Sequence, residues 1–204
     1  MPQLLIVGGP NGSGKSTFLR QMAAGARTLR VALPERILNP DEFARAIDPI
    51  DPDSVAVAAA RAVLQQRSAL LAARHDFAIE TTLSGRAELR LLDRARDCGY
   101  EIALVYIATE YPAENIVRIE RRREEQNRNV PAAAVLRRFE RSLAQLSRAV
   151  ARTDLAYVLD NTHFDFASVV QLEAGRVVDL AGNAPFWVER SLAGPLADYR
   201  AARK

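Results

Sequence analysis

Residues 8–17 read GGPNGSGKST. Ahead of them stands Leu4 to Val7 (LLIV), a continuous apolar run that reads as a short buried strand over Gln3 to Gly8. Behind them a helical pattern runs from about Gly14 to Ala24. Strand, glycine-rich curl and helix in that order is the context that makes Gly9-x4-Gly14-Lys15-Ser16 a phosphate loop. Glycines let successive backbone N–H groups turn inward on an anion, and the positive end of the next helix adds to that field. The residues expected to wrap a nucleotide's phosphates are Gly9, Pro10, Asn11, Gly12, Ser13, Gly14, Lys15, Ser16 and Thr17. Lys15 is expected to bridge the β- and γ-phosphates and Ser16 to offer its hydroxyl to Mg²⁺. Usage elsewhere in the chain supports this. Of 28 basic residues only Lys15 and Lys204 are lysines, the rest being arginine. A compact ammonium fits inside a tight ring of amides, whereas a planar guanidinium is wider and seeks a two-pronged partner.

Working outward, 204 residues suit one well-buried unit, expected to span 1–204. No apolar run approaches the roughly 18 to 20 residues that span a bilayer. The N-terminus lacks the basic region and cleavage site of a signal peptide, and the one cysteine, Cys98, excludes an internal disulfide framework. A cytoplasmic protein without membrane attachment is the expectation. A net charge of +3 suits an anionic small ligand. With 6% aromatic residues and no interleaved basic and aromatic face, nothing resembles a stacking platform, which argues against a nucleic-acid partner. His75, His163 and Cys98 read as structural, and Phe186 with Trp187 as a core plug or a dimer contact.

Further strands are expected at Arg36 to Leu38, Asp76 to Thr81, Tyr100 to Ala108 and Leu155 to Leu159, with a hairpin over Val169 to Leu180. Helices are expected over Ser54 to Ala73 (capped by Asp53 or Ser54), Arg86 to Cys98, Ala113 to Asn127 and Pro131 to Ala151. Alternation of strand and helix predicts an α/β fold, a three-layer P-loop sandwich on a mainly parallel five-stranded sheet. Residues 113–151 would form a helical lid, and 164–204 a C-terminal hairpin and tail.

Ligands of such sheets gather outside the carboxyl ends of the strands. Asn39-Pro40-Asp41 follows the second strand; Asp41 either faces an acceptor hydroxyl or caps the helix through Phe43 and Ala44. Glu80, with Thr81 and Thr82, ends the third strand, either as an exposed strand end or as a site acid. Asp160 ends the fifth, as an acid behind Mg²⁺ or as the start of an Asp-Asn turn. Residues 118–142 are dense in arginine, on two helices placed where a phosphoryl-transfer lid would close.

Taken in order, GGPNGSGKST, NPD, ETTLSG, Arg118-x3-Arg122, VP, RRFERSL and DNT resemble the zeta-toxin-like family of P-loop kinases, over about residues 3 to 162. Short bacterial members are often labelled predicted ABC-type ATPases. The resemblance implies a phosphotransferase using ATP or GTP with Mg²⁺, a small-molecule acceptor such as UDP-N-acetylglucosamine, and an antitoxin protein as partner. It implies Asp41 as the base; Asn39, Glu80, Thr81 and Thr82 on the acceptor side; Arg122 and Arg138 as lid cations; and Ser16 with Asp160 toward the metal. Relatives usually carry Gly-Gly-His ahead of the lid's x-Val-Pro, where this chain has Gln126-Asn127-Arg128. Two other readings stand beside it: a nucleotide-gated module that binds a protein or RNA, and a detoxifying kinase.

Overall fold

The computed structural model describes residues 1–26, 29–126 and 132–203, with the side chains of residues 122–126 and 132 outside the description. At its centre is β1 (Gln3–Gly8), in which Leu4, Leu5, Ile6 and Val7 are fully buried. A strand apolar on both faces has no side to give to water, so both must be covered. Alternate residues point to opposite faces. Leu5 and Val7 pack with Phe18 and Leu19 of α1 (Lys15–Ala23). Leu4 and Ile6 join the larger core on the other face. That face is covered by α3 (Ala56–Ala73), α4 (Arg86–Asp97) and α6 (Ala132–Val150), and by the C-terminal helices α7 (Phe186–Ser191) and α8 (Ala193–Ala201).

The remaining strands are β2 (Ile37–Leu38), β3 (Phe77–Thr81), β4 (Glu101–Ala108), β5 (Leu155–Asp160), β6 (Ala167–Glu173) and β7 (Arg176–Leu180). Their order is β2-β3-β1-β4-β5-β6-β7. The first five are mutually parallel, as expected. The hairpin β6–β7 does not stand apart: it joins antiparallel to β5 and extends the sheet to seven strands. Val7 lies level with Glu80 and Gly8 with Thr81, so the ends of β1 and β3 deliver the glycine loop and Glu80 side by side.

Two helix starts differ from the sequence reading, for local reasons. The long helix α3 begins at Ala56, not at Ser54, because Ser54 is held in a turn by hydrogen bonds to Asp51. In α2 (Pro40–Ile47) the cap falls to Asn39, whose side chain accepts from the backbone N–H of Asp41, with Pro40 in the first helical position. Asp41 therefore sits inside the first turn, not at the cap. In the tail, Trp187 is buried in the core while Phe186 is exposed.

Candidate active site

The loop after β1 curls tightly enough that two glycines have no substitute. A Cβ on Gly9 would lie 1.9 Å from the Ile107 carbonyl oxygen. Gly14 has φ +101° and its Cβ would lie 2.4 Å from Asn161 Nδ2. The chain then enters α1, whose first-turn amides lack intrahelical partners. The first turn of α1 contains no acidic residue of its own and its amides have no side-chain cap, so they can serve an anion. Lys15 is 7% exposed and turns inward, donating from Nζ to the Pro10 carbonyl at 2.9 Å. Its ammonium is thus turned back on the loop backbone, where a phosphate oxygen would compete with the Pro10 carbonyl for it.

Ser16 starts a continuous polar chain. Its Oγ donates to Glu80 Oε1 at 2.8 Å. Glu80 Oε2 accepts from Asn39 Nδ2 at 2.9 Å. Asn39 Oδ1 accepts from Asp41 N at 2.8 Å. Three segments far apart in sequence are thereby joined at one point. The acid that faces the loop hydroxyl is Glu80. Asp160, by contrast, is buried among other partners: Oδ2 accepts from the Trp187 indole N–H and Oδ1 from the backbone of Thr162.

The donor set beside the loop, a hydroxyl and a carboxylate, consists of hard oxygens and suits Mg²⁺. Among the described residues no group of three or more His, Cys, Asp or Glu stands ready to hold a metal alone. An ion here would rest on Ser16, with Glu80 behind it, and on phosphate oxygens. That matches the habit of Mg²⁺ of keeping few protein ligands.

Beyond Glu80 the chain presents hydroxyls. Thr81 Oγ1 donates to Glu88 Oε1, and Thr82 Oγ1 and Ser84 Oγ share a hydrogen bond. Leu83 between them is fully buried with φ +51°. Such a conformation costs about 1–3 kcal/mol in a non-glycine residue and persists only where its surroundings impose it. Thr82 and Ser84, on either side of it, are half-buried.

The segment after β5 forms a wall against the loop itself. Asn161 Nδ2 donates to the Ser13 carbonyl at 2.8 Å. Arg118, on α5 (Pro112–Gln126), donates to the carbonyls of Asn161 and Thr162, and its guanidinium lies 3.9 Å over the Phe164 ring. Neither Asn161 nor Arg118 had a role in the sequence reading. Asn161 had a signal, in following a strand-ending aspartate, but its contact with Ser13 spans 148 positions. Beside this wall, burial and the charge of Asp160 push the Glu110 carboxyl above its ordinary value.

Of the arginines expected to serve as lid cations, Arg138 is exposed on α6. Four residues further on, Ser142 is fully buried and donates to the Thr82 carbonyl at 2.6 Å. The Arg122 side chain, Gln126 and residues 127–131 lie outside the described residues. No helix among those described is long and apolar enough to cross a membrane.

Solved structures share this architecture. The PezAT chromosomal toxin–antitoxin system of Streptococcus pneumoniae superposes with a TM-score of 0.61 at 17% identity, over 100% of this chain and 88% of that one. The AvrRxo1-ORF1:-ORF2 complex gives 0.72 at 15% identity over 96% of this chain, and its form with ATP gives 0.67 at 15% identity over 98%. This chain spans only 64% and 63% of those two chains. At such identities the likeness is one of fold. No curated protein matches the chain in sequence. Residues 4–149 do match the family model described as AAA domain (AAA_33), and the chain, with its P-loop kinase-like fold, belongs to that family.

Proposed function

We propose that the protein is an ATP-dependent phosphotransferase of the zeta-toxin type, which moves the γ-phosphoryl group to a hydroxyl of a small molecule. The observation that carries this reading is the unbroken chain Ser16–Glu80–Asn39–Asp41, which ties the phosphate loop to the backbone N–H of Asp41, a residue that brings a second carboxylate to the first turn of α2. A nucleotide-binding module has no need of that second carboxylate. A transferase needs it to receive the proton of the acceptor.

In this reading the loop amides and Lys15 bind the β- and γ-phosphates. Bound Mg²⁺, on Ser16 and backed by Glu80, would neutralise charge on those same oxygens. Asp41 takes the proton as the acceptor oxygen forms its bond to the γ-phosphorus and the bond to the β-phosphate oxygen breaks, releasing ADP. Thr81, Thr82 and Ser84 orient the acceptor through its hydroxyls. Residues 113–151 act as the lid, and its arginines, Arg138 and Arg122, close over the transferring group. Loss of one such cation typically costs about 10³–10⁵ in rate. Glu80 is a better placed metal-side acid than Asp160, because Glu80 accepts directly from the Ser16 hydroxyl, whereas Asp160 is held by Trp187 and Thr162. UDP-N-acetylglucosamine is the first acceptor to test. A protein partner of antitoxin type is also proposed, since the similar structures are two-protein systems by name.

The test is incubation with ATP, Mg²⁺ and a metabolite panel headed by UDP-amino-sugars, scored by mass for a gain of one phosphate. Asp41→Asn is expected to bind ATP as the parent does and to transfer nothing. Near-full turnover in that variant would remove Asp41 as the base. A salt-sensitive RNA shift without acceptor-dependent ADP release would favour the interaction module instead.

A further inference from the structure

Asn39 links the Glu80 carboxylate to the backbone N–H of Asp41 and is 6% exposed. Its amide has one oxygen that accepts and one nitrogen that donates. The backbone N–H of Asp41 can only donate, so the atom 2.8 Å from it is Oδ1. The orientation of the amide is thereby settled without appeal to the rest of the network, and Nδ2 must face Glu80 Oε2, at 2.9 Å. Asn39 is also pinned along the backbone. Its carbonyl accepts from the N–H groups of Glu42 and Phe43, and Pro40 follows it with a fixed φ. One residue therefore terminates β2, caps α2 and holds the Glu80 carboxylate.

We infer that Asn39 is a positioning residue: it keeps Glu80 turned toward Ser16 and sets the first turn of α2, which carries Asp41, without itself touching substrate. The inference rests on the phosphotransferase reading above and goes further, assigning the coupling of the two acids to one amide. The terminal torsion of a glutamate is broad and close to two-fold, so a carboxylate held from one side only can turn. With Asn39 Nδ2 in place, Glu80 has a donor on each oxygen and its plane is defined. Outer groups of this kind typically change metal affinity or activity about 10- to 100-fold when removed.

Two substitutions separate this role from helix capping. Asn39→Ser and Asn39→Thr both keep a side-chain oxygen for the Asp41 N–H, and both are favoured caps. Neither can donate to Glu80 as the amide does, because the hydroxyl that caps the helix is too short to reach it as well, and neither adds a charge beside the loop. Both are expected to melt within about 5 °C of the parent. The experiment measures ATP affinity by calorimetry, with saturating Mg²⁺ and again in EDTA. In both variants the ratio of the two affinities should fall about tenfold while the affinity in EDTA stays within about twofold. An unchanged ratio overturns the inference and leaves the phosphotransferase reading intact. Equal losses in Mg²⁺ and in EDTA also overturn it, since Asn39 would then be shaping the phosphate loop as a whole. A parent protein whose ATP binding does not respond to Mg²⁺ removes the functional reading, and this inference with it.

Discussion

Ser142 is the test of how firmly α6 is registered to the segment that follows β3. Its Oγ donates to the Thr82 carbonyl at 2.6 Å and lies 2.8 Å from Tyr106 Oη, with Ser142 and Tyr106 both fully buried. A carbonyl can only accept, so the serine proton goes to Thr82 and the tyrosine must donate to Ser142. Burial holds the Tyr106 phenol far above its usual pKa, so it keeps that proton throughout the accessible pH range. Tyr106→Phe removes one donor and strands nothing that must donate, at a cost of about 1 kcal/mol. Ser142→Ala strands both the Tyr106 hydroxyl and the Thr82 carbonyl. At about 1–3 kcal/mol for each buried orphan, and with Thr82 half-exposed, the sum is about 3 kcal/mol, or roughly 6–12 °C in a chain of this size. The double variant strands only the carbonyl and should lose about 2 kcal/mol, less than Ser142→Ala alone. Urea denaturation of the four proteins, with equal m-values, reads these differences directly. Losses that simply add, or a double variant less stable than Ser142→Ala, would refute the assigned direction of the hydrogen bonds.

Two further outcomes follow from the loop and its wall. Gly14→Ala puts a methyl 2.4 Å from Asn161 Nδ2 at a backbone φ of +101°, and should cost at least about 2 kcal/mol and abolish ATP binding; a melt within 2 °C of the parent (about 0.5–1 kcal/mol) would contradict it. Glu110 has its carboxyl pushed upward by burial first and by Asp160 next, so the folded chain holds that proton to higher pH than the unfolded chain does. Its contribution to stability is therefore greatest in acid and is lost as pH climbs through the raised value. Glu110→Gln should flatten that limb of the stability–pH curve, and an unchanged slope would rule Glu110 out as its source.

What the sequence disclosed was local. The glycine loop, its strand and its helix could be read because ten consecutive residues carry the whole motif, and β1 was bounded correctly because LLIV admits no exposed face. The five parallel strands followed from alternation. What stayed hidden depends on register. Glu80 was legible in the sequence as either an exposed strand end or a site acid. That it faces Ser16 follows only from the pairing of β1 with β3, which sets Glu80 level with Val7. Asp160 has the same strand-ending pattern one sheet position further out, yet it is engaged by Trp187 from the tail, a contact no local pattern announces. Asp41 could be read as the helix cap, but the cap is Asn39, two residues earlier. Pro40 decided it, because proline favours the first helical position and leaves the residue before it as the cap. The hairpin was legible as a hairpin, but its place at the edge of the sheet rests on pairing with β5.

The central claim is that the curl of amides and Lys15 make a seat for a nucleotide triphosphate. Calorimetric titration of the parent protein and of Lys15→Ala with ATP in Mg²⁺ addresses it most directly. The expected result is one ATP bound per chain, with affinity falling at least about tenfold when the ammonium is removed. No heat from the parent, or equal affinities in the two proteins, would contradict the claim.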